Sequence, residues 1–91
     1  MPRKEKNRYA RIIEAIFLKH HREGAREVDF LRDDIIREAA RLNIKLPDNI
    51  GDLIYTFRYR SALPESILAK APPGETWIIQ GTGDGRYRFK L

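Results

Sequence analysis

The first hydrophobic pattern along the chain is Tyr9, Ile12, Ile13, Ile16, Phe17 and His20, at spacings of three, one, three, one and three. This is the stripe that one face of an amphipathic helix turns toward a core. It predicts a helix over residues 6–22, stopped by Gly24, with His20, His21 and Arg22 in the last turn, where cations suit the helix dipole. Val28 and Phe30 then alternate with Glu27 and Asp29, enough for one short strand over 27–30 that needs partners from elsewhere. Helical spacing returns over 32–42 with Ile35, Ile36, Ala39, Ala40 and Leu42, opened by Asp33 and Asp34 at the positive end of the dipole. The paired alanines predict a close helix crossing.

Asn43 suits the left-handed conformation at a helix end, and Pro47 suits the first position of a third helix over 47–60. Ile50, Leu53, Ile54 and Phe57 form its core stripe, which puts Asp48, Asp52, Tyr55 and Tyr59 on the opposite face, flanked by Asn49, Thr56, Arg58 and Arg60. Gly51 in the first turn costs up to ~1 kcal/mol against Ala, which implies a close neighbour or a nearby phosphate. Residues 66–71 are too few for more than a helical turn or a connector. The period then changes to two: residues 76–80 and 86–91 flank a five-residue glycine loop, 81–85, and predict a terminal β-hairpin over 76–91. Pairing Gln80 with Arg86 sets Ile79 opposite Tyr87 and Trp77 opposite Phe89. Arg86 and Arg88 then fall on the other face with Ile78 and Gln80, and a one-residue slip would destroy that agreement.

Helix, short strand, helix, tight turn, helix and hairpin is the element order of an α+β winged helix-turn-helix domain. In such domains the third helix is the candidate reader of the major groove and the hairpin is the wing. The expected division is a basic N-terminal arm at residues 1–8 and one domain at 9–91. Composition agrees with a single core: 91 residues without cysteine have no disulfide or thiolate zinc site and must hold by packing. The longest apolar run, residues 15–18, is far below the ~20 residues that cross a bilayer, and no signal-peptide run follows the basic start, so a cytoplasmic chain without a membrane partner is expected.

Lys and Arg number 18 against 13 Asp and Glu, an excess of five that makes an anionic partner plausible. Position sharpens the count. Arg32, Arg37 and Arg41 are interleaved with Asp33, Asp34 and Glu38 and read as helix-surface charge. The excess lies in the arm, where Arg3, Lys4, Lys6, Arg8 and Arg11 face only Glu5, at the end of helix 3, and on the hairpin face of Arg86, Arg88 and Lys90. Double-stranded DNA is the expected partner. Asn49, Asp52, Tyr55, Thr56 and Tyr59 are the candidate base or groove contacts, and Arg3, Lys4, Lys6, Arg58, Arg60, Arg86 and Arg88 the candidate phosphate contacts. Asp48 and Asp52 would be repelled by phosphates, but a carboxylate can accept from cytosine N4 in the major groove. Equally, that face could meet a protein.

Residues 47–60, then Leu63-Pro64, Ala71-Pro72, Gly74 and residues 77–79, resemble an N-terminal winged-helix segment attached to bacterial restriction-endonuclease-like proteins. Residues 28–30 and 35–40 fit the same pattern, so the resemblance spans roughly 26–91. It implies a DNA-recognition module with a nuclease domain after Leu91 in a longer parent protein. A stand-alone transcriptional regulator and a protein-interaction winged helix are the alternatives.

Catalysis is not expected within the chain. Nuclease cores of this kind position two carboxylates and a lysine around Mg²⁺ with a D/E-x-K spacing. Pro47-Asp48 mimics the opening of that signature, but Glu65, Glu75 and Asp84 have Ile67, Trp77 and Arg86 two places on. No cofactor and no metal are expected either: His20 and His21 point about 100° apart on a helix and lack a partner four residues on, reading instead as a partly buried His20 beside an exposed His21. The three glycines at 81, 83 and 85 lead into a strand, whereas phosphate cradles lead into a helix.

Overall fold

The computed structural model describes residues 8–60 and 62–91. Among them, four helices and a three-stranded antiparallel sheet form an α+β domain: α1 (Arg8–His20), β1 (Glu27–Leu31), α2 (Arg32–Leu42), α3 (Ile50–Tyr55), which continues as a π-helical turn Thr56–Arg60, α4 (Glu65–Leu68), β2 (Ile78–Gly83) and β3 (Arg86–Lys90). The sheet order is β1-β3-β2, so the first strand flanks the hairpin on the β3 side. None of these helices is long and apolar enough to cross a membrane.

The α1 stripe is realised: Ile12, Ile13, Ile16 and Phe17 are fully buried. Phe17 is the hub where helix meets sheet, with its ring centroid 5.0 Å from Phe89 and 5.1 Å from Trp77, both edge-on, and 4.8 Å from the stacked His21. Val28, Phe30, Ile79 and Phe89 supply the sheet's inner face, and Ile35, Ile50, Leu53, Ile54 and Phe57 close the core from α2 and α3.

The helix ends at His20, which reverses the expectation for the histidines. His21 leaves the helical path, folds back on Phe17 and meets Trp77 edge-on, while His20 stays exposed 3.5 Å from Asp34. On α2 the buried face is rotated from the predicted one. Ile35 and Ala39 are buried, but Ile36 and Ala40 are exposed, and Asp34 and Glu38, read as surface charges, are buried in their place. Partners make this tolerable: Asp34 accepts from the Leu31 backbone N–H at 2.8 Å and from Arg37 at 3.2 Å, and Glu38 accepts from Arg41 at 2.8 Å and lies 3.8 Å from Lys19. The first of these bonds satisfies an amide that a helix start leaves orphaned. Burial pushes the Asp34 carboxyl up, but the Leu31 amide, Arg37 and His20 outweigh it and hold the group below the usual carboxylate range.

Asn43 closes α2 in the left-handed conformation (φ 59°), as its type predicts, with Ile44 N–H donating back to Ala39 O at 2.8 Å. The next helix starts later than expected. Pro47 and Asp48 precede it and Asn49 is its cap, the Asn49 Oδ1 accepting from Gly51 N–H at 2.9 Å. A Cβ at residue 51 would stand 3.0 Å from that oxygen, so the close neighbour that Gly51 accommodates is the cap itself.

The hairpin register differs by two residues from the predicted one. Ile79 pairs with Phe89 and Gln80 with Arg88, the strands run on to Gly83 and Arg86, and only Asp84 and Gly85 form the turn, with Gly85 at φ 66°. A bulge between Gly81 and Gly83 absorbs the odd residue, and Asp-Gly is a strong hairpin-turn pair. Because the shift is even, the faces survive: Ile79 and Phe89 point inward while Ile78 is half-exposed outward.

Candidate functional site

The end of α3 carries a group of unburied aromatic and cationic side chains. Phe57 faces the core at 6% exposure. At ordinary helical spacing the next inward position would be Arg60, but the π-helical turn adds a residue to the turn and leaves Arg58, Tyr59 and Arg60 all outside. Thr56 Oγ1 donates to Asp52 O at 2.9 Å, a local side-chain bond of the kind that bends helices. Tyr55 and Tyr59 are 50% and 63% exposed, and neither belongs to the core cluster.

Their rings lie 4.8 Å apart, tilted by 51°. Arg60 sits 5.6 Å from the Tyr55 ring and Arg58 5.0 Å from the Tyr59 ring, within cation–π range. The result is a four-member cluster in the order guanidinium, ring, ring, guanidinium. Beside it runs a shallow groove of about 430 Å³ lined by Asp52, Tyr55, Thr56 and Arg60. Six of the predicted residues, Asp52, Tyr55, Thr56, Arg58, Tyr59 and Arg60, therefore stand together. Asn49 lies a turn earlier with its side-chain oxygen committed to the cap.

A second cluster forms at the turn of the hairpin. β1 runs directly into α2, so Arg32 lies beside the turn: its N–H donates to Gly85 O at 2.9 Å, and its Cβ is 3.7 Å from where a Gly85 Cβ would be. Arg86 pairs with Leu31 next to it. Sequence reasoning missed Arg32, because only the strand-to-helix joint reveals that it shares the hairpin's end.

Arg88, by contrast, is engaged within the fold. It pairs with Asp29 across the strands and donates to it at 2.6 Å, with Glu27 at 3.7 Å. The Asp29 bond and charge, with Glu27 adding to them, raise its pKa further. Arg32, Arg58, Arg60 and Arg86 have no acidic partner among the described residues, whereas Arg26, Arg37 and Arg41 pair with Glu75, Asp34 and Glu38. Arg3, Lys4 and Lys6, the arm's predicted contacts, lie outside the described residues. No group of three metal-ligating side chains stands together among the described residues. Compared with protein-family models, curated proteins and solved structures, the chain shows no significant match.

Proposed function

We propose that the chain is a winged helix-turn-helix module that binds double-stranded DNA, with α3 in the major groove and the β2–β3 hairpin along the backbone. The observation that carries this reading is the set of arginines without acidic partners among the described residues at the two places such a module would meet a duplex: Arg58 and Arg60 at the end of α3, Arg32 and Arg86 at the hairpin turn. Helix order and the β1-β3-β2 sheet support the same architecture. The guanidiniums hold phosphates and fix orientation, while Asp52, Tyr55, Thr56 and Tyr59 face the bases. Asp52 takes the role that an acid can take there, accepting from cytosine N4.

The resemblance of residues 26–91 to the winged-helix segment of restriction-endonuclease-like proteins supports a recognition role beside a nuclease domain, exercised in the cytoplasm. Arg88 contributes through the sheet: held by Asp29, it keeps the wing strand in place.

Fluorescence-anisotropy titration of a labelled duplex tests the reading. If four arginines each neutralise one phosphate, log K falls against log salt with a slope of roughly −4. Changing Arg58, Arg60 and Arg86 together to Ala should lower the slope by about three, and a titration showing no salt dependence would falsify the proposal.

A further inference from the structure

The ring faces of Tyr55 and Tyr59, as distinct from their hydroxyl edges, offer something that contact with an intact duplex leaves unused. A duplex offers base edges in its grooves and phosphates outside, while its base faces are covered by neighbouring bases. Edges and phosphates call for donors, acceptors and charge. Ring faces recognise other ring faces. Two tyrosines at 50% and 63% exposure, packed on each other and not on the core, are planar apolar area held in water.

The surroundings indicate which chemistry such a surface suits. The adjoining groove is lined by one carboxylate, one hydroxyl, one guanidinium and one phenol, with no aliphatic side chain, which suits a flat heteroaromatic ring bearing polar edges better than an apolar protein anchor. Guanidiniums already lie near both tyrosine rings, 5.0 and 5.6 Å from the centroids. Each is a planar cation that a base can displace or stack beside, and each is then positioned against the phosphate attached to that base. The π-helical turn keeps Tyr59 and both arginines outside on consecutive positions, so the platform has rings and charge at one place.

The geometry points to an unpaired DNA base as the ligand of this platform: Tyr55 and Tyr59 stack a base that is not covered by a neighbour, as at a single-stranded tail, gap or bubble, while Arg58 and Arg60 hold its phosphates. This rests on the DNA-binding reading and adds to it a preference for DNA that combines duplex with exposed bases.

The test compares a short blunt duplex with the same duplex carrying a single-stranded tail, by anisotropy at one salt concentration, with a fluorescent purine analogue in the tail to report stacking directly. The tailed DNA should bind roughly tenfold tighter, with quenching of the analogue. In the Tyr55→Ala/Tyr59→Ala variant the tailed and blunt DNAs should bind equally well and the quenching should vanish. Tyr55→Phe/Tyr59→Phe, which keeps the rings, should retain both. Circular dichroism controls for folding, since both side chains lie outside the core. Equal affinity for the two DNAs, or an equal loss for both in the alanine variant, overturns the base platform and leaves duplex binding standing. Absence of binding to either DNA overturns both readings at once.

Discussion

On α2 the guanidinium of Arg37 lies 3.2 Å from Asp34 and that of Arg41 2.8 Å from Glu38, whereas at the end of α3 Arg58 and Arg60 lie over tyrosine rings. Both helices are amphipathic and each buries an apolar stripe. They differ in what happens to charge at the edge of that stripe. Asp34 and Glu38 are drawn inside, to 7% and 5% exposure, and each gathers basic side chains from its own helix and from α1. Nothing acidic collects Arg58 or Arg60 among the described residues. The same residue type thus closes a helix–helix seam in one place and stands ready for an outside anion in the other, and a count of charges along the sequence does not separate the two.

Breaking the sealed side should show first in stability. Phe17→Ala removes the hub that touches His21, Trp77 and Phe89 and should cost ~3–5 kcal/mol, read as an early urea transition in the fluorescence of the single tryptophan. Asp34→Ala should cost ~1–2 kcal/mol, because it strips the Leu31 amide of its acceptor and leaves Arg37 and His20 without their partner. The pH dependence of stability sharpens that prediction. The folded-state pKa of Asp34 is lowered, so its contribution is present above the unfolded value and is lost as pH falls below about 4. Acid-induced loss of stability should therefore be smaller in the variant than in the parent chain when urea midpoints are compared down that range.

The open side should answer in the opposite way. Asp52→Asn should leave overall DNA affinity nearly intact but erase a preference for cytosine at one position, a discrimination of ~1–3 kcal/mol measurable with single-base substitutions in the duplex. Smallest of all should be the effect of Tyr55→Ala/Tyr59→Ala on folding, within ~0.5 kcal/mol in thermal or urea unfolding. A large destabilisation by that pair would erase the contrast between the two helices and assign the tyrosines to the fold.

Local periodicity carries much of this molecule. Ile12, Ile13, Ile16 and Phe17 announce α1, and Tyr55 and Tyr59, four apart beside two arginines, announce a cluster from spacing alone. What the pattern misses depends on partners distant in sequence or on a single residue of phase. The hairpin register is of the second kind: a shift by two keeps every side chain on its face, so alternation cannot detect it, and only the bulge near Gly81 sets the count. His20 and His21 exchange roles because the helix ends between them. Arg88 is of the first kind, since its pairing with Asp29 is created when β1 joins β3. Asp34 and Glu38 enter the core's edge because Lys19 and His20 of α1 are there to receive them, which no reading of α2 alone supplies.

The joint between β1 and α2 has a mechanical consequence. Leu31 ends the strand and Arg32 begins the helix with no residue between them, and the Arg32 amide is tied to the carbonyl of Gly85 in the hairpin turn. The tip of the hairpin is therefore coupled to the first turn of α2 without slack. A load applied at Gly85 reaches the helix through this hydrogen bond beside the Leu31–Arg86 pairing, and the proton of that amide exchanges with solvent only when the turn and the helix start part company. Arg32 is in this way a strain gauge for the hairpin, readable at a single amide.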